Sequence, residues 1–329
     1  MTQWKDRERK LRVTVAALTR GRPKMLRDLL KSWGQMALPS NCHVKALVVE
    51  NDSESFAADV IQTMTPLQNG LVVDHILEAH IGIPFGRNCA ARVAIASGSD
   101  LLVFVDDDEV VLEDWLIKFV DGYRNSVAVL LGGPVRAAAP NENLSGLQEI
   151  FYESLERIYE KRERRKVERC TLNDCSDQAI GTGNWLAETR LFSEYGIWFD
   201  PSLRYTGGED TRFCSDLAIR GLKTGWVADA IAYETIPAAR LTFRYQYRRA
   251  RDHTNFDTRG RGAISTKDKL KITLKLIPRT LGAFGLLVSV PFTKGRTLLK
   301  LAHSAGLIAG RLRSMSRKES KHYEKTTGY

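Results

Sequence analysis

Four consecutive acidic residues follow a strongly hydrophobic run in the first half of the chain. The run 101–105 is apolar throughout and ends in Asp106, Asp107, Asp108 and Glu109. Carboxylates a few ångströms apart do not all stay ionised unless a cation lies among them. Oxygen ligands without His or Cys nearby are typical of Mg²⁺ or Mn²⁺, which commonly share their coordination with substrate phosphates. The pattern predicts a site for Mg²⁺ or Mn²⁺ on Asp106 and Asp108; the alternative is a solvated acidic loop.

A second acidic pair, Glu209 and Asp210, follows Gly207 and Gly208 at the start of a predicted helix. The two glycines permit close approach of a substrate to the backbone, and a helix N-terminus favours an ionised carboxylate. These properties suit a general base, a role that we predict for Asp210, with Glu209 as the second choice. The alternative is that either acid merely stabilises the helix terminus.

Short apolar runs alternate with helical patterns over the first 131 residues. This alternation predicts an α/β fold with a mostly parallel sheet flanked by helices, and a ligand crevice beyond the carboxyl ends of its strands. The predicted strands are 13–18, 44–49, 71–77, 101–105 and 127–131, and the predicted helices are 25–33, 54–64, 85–96 and 112–123.

Polar residues stand directly after three of these predicted strands, so we expect them to meet in the crevice. They are Thr19 and Arg20, then Glu50, Asn51 and Asp52, and finally Asp106, Asp107 and Asp108. At the start of the helix 85–96, Arg87 and Asn88 offer a guanidinium and backbone N–H groups to phosphate.

A nucleotide-sized crevice, a metal site and a second carboxylate together suit the transfer of a sugar from a nucleoside diphosphate. The metal ion would neutralise the leaving diphosphate. A carboxylate on the other side of the sugar would remove the proton from the acceptor hydroxyl, which typically contributes about 10²–10⁴-fold in rate.

The charge of the chain is unevenly distributed. From Arg240 onward there are 21 Lys+Arg and 5 Asp+Glu, a net charge of +16, whereas the preceding part has 28 basic and 34 acidic residues, a net charge of −6. We therefore predict a catalytic domain over residues 1–239 and a basic, amphipathic helical region over 240–329. A region of this charge seeks phosphate, either in nucleic acid or on an anionic membrane surface.

The apolar run 280–292 is the longest in the basic region, and it is shorter than the roughly 20 residues that a membrane-spanning helix needs. Its basic flanks favour attachment in the plane of the membrane. The basic start 5–12 is followed by a run of only strand length, so no secretory signal is indicated. We expect a cytoplasmic protein bound peripherally to the inner face of the plasma membrane. The five scattered cysteines indicate reduced thiols, with Cys170 and Cys175 as the exception.

The order of these motifs resembles family 2 glycosyltransferases with the GT-A fold, and is most similar to the succinoglycan and exopolysaccharide β-glucosyltransferases. The resemblance covers residues 13–251. It is carried by Thr19-Arg20, Glu50-Asn51-Asp52-Ser53, Arg87-Asn88, the run 104–109 and Gly207-Gly208-Glu209-Asp210.

The resemblance implies a function for each motif. Thr19, Arg20, Glu50 and Asn51 would hold uracil and ribose, Arg87 would contact the diphosphate, and Asp106 to Asp108 would hold the metal and ribose. Asp52 and Asn88 are further expected nucleotide-sugar-binding residues. Asp210 would deprotonate the acceptor, with inversion at the sugar carbon. Family members often carry Asp where this chain has Glu50.

On the acceptor side the resemblance implies Asn184 and Trp185, with Arg240, Arg248 and Arg249 for a lipid diphosphate. Trp185 would stack on a sugar ring, although an unpaired Trp is more often in the core. The processive synthases of the same broad family carry a Gln-x-x-Arg-Trp signature and several membrane spans. This chain has neither in its sequence, which favours the addition of one hexose, from UDP-glucose or a similar donor, to a lipid-linked oligosaccharide.

Two other classes fit part of the pattern. A metal-dependent nucleotidyltransferase or nucleotide-sugar hydrolase needs the same crevice, but a nucleotidyltransferase usually has a Gly-rich triphosphate loop, and residues 19–23 contain one Gly. A nucleic-acid-binding protein would use the Arg- and Tyr-rich segment 240–251. It would leave both acidic motifs unexplained, so we expect no nucleic-acid partner.

Overall fold

The computed structural model describes residues 9–204, 207–259 and 266–315, with side chains placed except at 255–259 and 266–272. Residues 5–8 of the predicted basic start 5–12, and the end of the predicted basic region at 316–329, lie outside the described residues. The described part contains ten strands and ten helices.

The strands are β1 Leu11–Thr19, β2 Cys42–Glu50, β3 Val73–Leu77, β4 Leu101–Asp106, β5 Glu109–Val111, β6 Leu130–Gly132, β7 Val135–Ala138, β8 Asn184–Glu188, β9 Thr224–Trp226 and β10 Ala232–Thr235. The helices are α1 Pro23–Gln35, α2 Ala58–Met64, α3 Ile83–Ala96, α4 Trp115–Arg124, α5 Gly146–Arg169, α6 Arg190–Ser193, α7 Glu209–Ile219, α8 Phe243–Arg259, α9 Thr266–Ser289 and α10 Leu298–Met315.

The central sheet has seven strands in the order β3-β2-β1-β4-β8-β6-β9. Its neighbours are parallel except where β8 pairs with β4 and β6. In the register of β1, Thr19 is paired with Glu50 and Leu18 with Asp106. The predicted mostly parallel sheet is therefore confirmed, and the polar residues that follow β1, β2 and β4 lie at one edge, as expected.

A second, three-stranded sheet with the order β5-β10-β7 was not expected from the sequence. Its strands are three or four residues long, too short for a hydrophobic period to mark them. In this sheet Glu234 is paired with Glu109. The pairing brings a distant acidic residue to the end of the run 106–109.

Large apolar side chains fill both faces of the central sheet. Trp33 and Trp115 lie in the core on one face, and Trp185 lies in the core on the other. The Trp185 ring is fully buried, stacks on Phe104 with a centroid distance of 5.7 Å, and donates its Nε1–H to the Thr182 carbonyl. A ring without exposed surface cannot stack on a sugar, so the predicted acceptor contact of Trp185 is wrong.

The long helix α5 begins at a capping box, because Ser145 Oγ accepts the Gln148 N–H while the Gln148 side chain accepts the Ser145 N–H. Phe151 and Leu155 on its inner face belong to the same apolar cluster as Leu299 of α10. The C-terminal helices therefore pack on the body of the protein through α5.

Cys170 and Cys175, which follow α5, form a disulfide bond, whereas Cys42, Cys89 and Cys214 are free thiols. The prediction of reduced thiols is correct for three cysteines, and the exception made for the other two is confirmed.

Helices α8 and α10 pack closely together. A methyl group on Gly306 would lie 2.5 Å from the Tyr247 carbonyl oxygen, so this crossing requires glycine.

Within the described residues, no helix has the length and hydrophobicity required to cross a bilayer.

Candidate active site

The end of β4 is the most highly charged position in the fold. Asp107 is buried and accepts hydrogen bonds from Thr19 Oγ1 and from Arg22 Nη1, both at 2.8 Å. Asp108 is also buried, and its Oδ2 lies 3.2 Å from Arg22 Nη1 and 3.1 Å from Arg240 Nη1. Two guanidinium groups therefore contact Asp108 in this structure, and its assignment as a metal ligand stays a prediction.

Asp106 and Glu109 face a different space. A methyl group on Gly183 would lie 2.6 Å from Glu109 Oε1 and 3.4 Å from Asp106 Oδ2, so both carboxylates border the small volume above this glycine. Glu109 Oε2 accepts the Asp106 N–H at 3.3 Å. The Asp106 side chain is 38% exposed, whereas Glu109 is 3% exposed.

The pKa values of these two carboxyls reflect uncompensated charge. Partial burial raises the pKa of Asp106 from its ordinary value and Asp108 and Asp107 add to the rise, while Arg87 and the 38% exposure of the side chain limit it. Burial, followed by repulsion from Asp106 and Asp108, raises the pKa of Glu109 well above its ordinary value. Both carboxyls are therefore destabilised as anions by their surroundings.

The electrostatic balance of the whole cluster is negative. Three arginines form ion pairs with five of six neighbouring carboxylates, and Glu109 is the sixth. The carboxylates are Asp106, Asp107, Asp108, Glu109, Glu209 and Glu234, and the cations are Arg22, Arg87 and Arg240.

A cation fits this balance, although the ligand set is small. No group of three or more His, Cys, Asp or Glu side chains that could hold a metal ion is present among the described residues. Mg²⁺ and related ions are commonly held by one or two carboxylates together with substrate phosphates. Asp106 and Glu109, on either side of the space above Gly183, provide such a pair.

Arg87 connects the two acidic motifs. Its Nη1 donates to Glu209 Oε1 at 2.8 Å, and its Nη2 lies 3.6 Å from Asp106 Oδ1. The guanidinium lies over the rings of Phe104 and Phe199 at 5.7 and 5.6 Å, which fixes its position. The end of β4 and the start of α7 are therefore neighbours, and Arg87 lies between them.

Glu209 and Asp210 differ in their surroundings. Glu209 is buried and paired with Arg87, whereas Asp210 is partly exposed and its Oδ1 accepts the Thr211 N–H at 2.6 Å. Gly208 before them has a φ of 87°, a conformation that favours glycine and that begins α7. Of the two acids, Asp210 is the one that a substrate can reach.

The end of β2 serves the fold. Glu50 is 0% exposed and accepts the N–H groups of Phe56 and Ala57 at 2.6 and 2.9 Å, so α2 starts at residue 58 and not at the predicted 54. Its Oε2 accepts Ser55 Oγ and lies 3.0 Å from His75 Nε2. The predicted contact of Glu50 with a nucleobase is wrong, because its oxygens are enclosed and already bonded.

Asn51 is enclosed in the same way. Its amide donates to the carbonyls of Glu78 and His80 and accepts the Gly82 N–H at 2.7 Å, which ties the loop before α3 to the sheet. The predicted nucleotide contact of its side chain is therefore wrong. Asp52 and Arg20, by contrast, are partly exposed, and Arg20 Nε lies 3.5 Å from Asp52 Oδ2.

Two more predicted residues are structural. Asn88 forms two hydrogen bonds with the backbone of Phe199, at 2.8 and 3.0 Å, and is buried. Asn184 is buried, accepts the Trp115 Nε1–H and donates to the carbonyls of Pro134 and Ala230. The Asn184 amide is fully used by protein groups, so its predicted contact with an acceptor is wrong. The Asn88 side chain also binds protein, and the predicted contact of the backbone N–H groups at this helix start with phosphate stays a prediction.

Arg240 is buried between Asp108 and Glu234, so its predicted contact with a lipid diphosphate is also wrong. Its carbonyl accepts Gln246 Nε2 of α8, and the Gln246 Oε1 lies 3.1 Å from His303 Nε2 of α10. Arg248 and Arg249 are exposed on α8, where a soluble or lipid-linked anion has access to them.

Sequence reasoning missed four members of the cluster. Arg22 and Glu109 are adjacent in sequence to motifs that the sequence analysis named, the loop 19–23 and the acidic run, and this adjacency could have identified them. Glu234 and Tyr159, whose hydroxyl donates to Glu234 at 2.5 Å, are brought in by the unpredicted second sheet and by α5. Nothing in their local sequence indicates this position.

The chain is similar to known proteins over most of its length. It is 28% identical over 243 residues to the succinoglycan biosynthesis protein ExoM of Rhizobium meliloti (strain 1021), covering 73% of this chain and 72% of the relative. No protein-family profile matches the chain.

Two solved structures resemble the fold. The mannosyltransferase PcManGT from Pyrobaculum calidifontis, in complex with GDP-Man and Mn²⁺, matches with a TM-score of 0.60 and 15% identity over 95% of this chain and 90% of that one. S. aureus TarS 1-349 in complex with UDP matches with a TM-score of 0.49 and 16% identity over 93% and 91% of the two chains.

The match to the mannosyltransferase confirms the predicted fold class: the chain has the GT-A architecture. The relative bears out the predicted similarity to succinoglycan biosynthesis proteins.

Proposed function

We propose that the chain is an inverting, metal-dependent glycosyltransferase of family 2 that adds one hexose to a lipid-linked oligosaccharide. The observation that carries the proposal is Arg87, which contacts both Asp106 at the end of β4 and Glu209 at the start of α7. A donor diphosphate at Asp106 and an acceptor hydroxyl at Asp210 would then lie on either side of one sugar.

The nucleotide would bind beside the ends of β1 and β2. Arg20 and Asp52 are the partly exposed polar residues there, and Thr19 positions Asp107 by a hydrogen bond. UDP-glucose is the donor that the family resemblance favours. GDP-Man in the mannosyltransferase complex shows that a protein of this fold class binds another nucleotide sugar.

Asp106 and Glu109 are the residues that would hold a divalent cation, Mg²⁺ or Mn²⁺. Bound there, the ion would supply positive charge to the leaving diphosphate. The presence of Mn²⁺ in the mannosyltransferase complex supports this choice of metal class. Arg87 is already ordered by two aromatic rings and would add a fixed positive charge to the same phosphates.

Asp210 would remove the proton from the acceptor hydroxyl. Because Glu209 is held by Arg87, Asp210 is the carboxylate of this pair that is available as a base. Attack from the side opposite the leaving diphosphate inverts the configuration of the sugar carbon. Arg248 and Arg249 on α8 remain the candidates for binding the acceptor diphosphate.

The similarity to a succinoglycan biosynthesis protein supports a place in exopolysaccharide or other surface-glycan synthesis. We propose a catalytic domain over 1–239 and a C-terminal region over 240–329 that attaches peripherally to the cytoplasmic face of the plasma membrane, where lipid-linked acceptors lie. The +16 net charge of this region supports attraction to anionic lipid.

A thermal-shift screen of nucleoside diphosphate sugars with and without Mn²⁺ tests the donor site. A ligand that binds the folded state raises its stability, by about 2.7 kcal/mol at a concentration of 100 Kd. We expect one nucleotide sugar to stabilise the protein only when Mn²⁺ is present. Equal shifts by all nucleotides, or none by any, would contradict the proposal.

A further inference from the structure

Helix α9 carries a continuous apolar stripe on its exposed side. The five stripe residues are Leu274, Ile277, Leu281, Phe284 and Val288, whose side chains are 52–69% exposed. Their spacing of three and four residues places them on one face of a helix. Elsewhere in the described part, exposed large apolar residues such as Val127 and Ile219 are scattered, which is ordinary for a protein surface.

The opposite side of α9 packs on the protein. Leu276 is buried, Ala283 and Leu286 are partly buried, and α9 is in contact with α10. The described residues therefore leave the stripe largely uncovered. At 1.5 Å per residue it is about 21 Å long, and contiguous apolar surface of this kind marks a site of interaction with a protein or a membrane.

The charge around the stripe identifies its partner. Between residues 273 and 315 the sequence has no Asp or Glu and seven Lys or Arg. Lys275 and Arg279 lie on α9, and Lys294 and Arg296 lie in the turn that follows it, shortly after Phe292, which is 84% exposed. Because every charged residue of this segment is a cation, the segment matches an anionic lipid surface, whereas two copies of it would bring like charges together.

We infer that α9 lies in the plane of an anionic membrane surface, with the stripe and Phe292 among the lipid chains and the basic residues at the headgroups. This inference rests on the membrane attachment proposed above and names the element that makes it. Attachment then has two parts, an electrostatic part that salt screens and an apolar part that salt does not screen.

The first test is sedimentation with vesicles of phosphatidylcholine alone or with one third phosphatidylglycerol, at low salt and at 0.5 M salt. The test variant is Leu281→Gln with Phe284→Gln. The matched control is Val127→Gln with Ile219→Gln, which removes two equally exposed apolar side chains from other surfaces. We expect the test variant to lose at least tenfold in partitioning onto anionic vesicles at 0.5 M salt, and the control to match the wild type.

Equal partitioning of the test variant and the control would overturn the inference. A wild-type dimer that the test variant dissociates, with no vesicle binding by either, would also overturn it and assign the stripe to a second copy. Sedimentation velocity without vesicles measures this.

A second measurement tests whether the side chain at position 284 enters the lipid. In Phe284→Trp, brominated lipid in anionic vesicles should quench more fluorescence than in Ile219→Trp, and equal quenching would contradict insertion. Nucleotide-sugar binding in solution should be unchanged in all these variants. Failure of that binding in the wild type would count against the proposed transferase and not against the membrane contact of α9.

Discussion

Two buried glutamates at the ends of neighbouring parts of the sheet have opposite surroundings. Glu50, at the end of β2, receives two backbone N–H groups and a hydroxyl and lies beside His75. Glu109, the first residue of β5, receives one long N–H contact and lies near Asp106, Asp108 and Glu234. Both are almost completely buried.

This difference in surroundings distinguishes a glutamate that stabilises the fold from one that belongs to the candidate active site. Protein groups hydrogen-bond to both carboxylate oxygens of Glu50, and two of these bonds come from the backbone N–H groups just before α2. At the β4 end, burial without matching positive charge leaves carboxyls with raised pKa values, which is typical of sites that bind a cation or catalyse a reaction. Position at the carboxyl edge of the sheet is shared by both residues and does not distinguish them.

The largest expected effect is on transfer by Asp210→Asn. If Asp210 is the base on the far side of the β4 site, kcat should fall by about 10²–10⁴-fold while nucleotide-sugar binding is retained. Asp216→Asn on the same helix is the control, since Asp216 only pairs with Arg212 in an exposed i,i+4 contact. Transfer by Asp210→Asn at the wild-type rate would remove the base assignment.

The next effect is on stability at Asp108. Asp108→Ala removes a carboxylate that both Arg22 and Arg240 contact, while Arg22 keeps Asp107 and Arg240 keeps Glu234. Leaving buried donors without this acceptor should cost about 1–3 kcal/mol. Asp52→Ala, which removes a more exposed partner of Arg20, should cost about 0–1 kcal/mol. Urea unfolding of both variants measures the difference, and similar losses would show that the arginine cluster at Asp108 carries little stability.

The comparison of the two glutamates predicts effects of opposite sign. Glu50→Gln should lower the free energy of unfolding by about 1–3 kcal/mol, because an amide cannot accept all the bonds that Glu50 accepts. Glu109→Gln should raise it at pH 8 in EDTA, since the neutral amide avoids an ionised carboxyl whose pKa is raised by burial.

The sign of the pH dependence follows from linkage. A carboxyl with a raised folded-state pKa stabilises the fold fully below its unfolded pKa and loses that contribution as pH rises through the folded value. The advantage of Glu109→Gln should therefore shrink as pH falls from 8 toward about 4.5. Urea unfolding across this pH range measures the effect. A difference in free energy of unfolding between variant and wild type that does not change with pH would contradict the account of Glu109.

The sequence predicted the fold correctly where a strand and the polar residues that follow it are adjacent in the chain. The hydrophobic runs predicted β1 to β4, and their polar ends therefore converge as expected. The sequence could not show which polar ends are enclosed, because the enclosing groups of Glu50 and Asn51 come from α2 and from the loop before α3. Glu234 and Tyr159 reach the site through pairings more than 70 residues apart in the chain.

The most direct test of the central claim is a calorimetric titration of UDP-glucose into wild type and Asp106→Asn, with Mn²⁺ and with EDTA. If the uncompensated charge at the end of β4 is a metal-dependent nucleotide-sugar site, wild type should bind at least tenfold more tightly with Mn²⁺, and Asp106→Asn should lose that gain while remaining folded. Equally tight binding by both proteins, with or without Mn²⁺, would contradict the account.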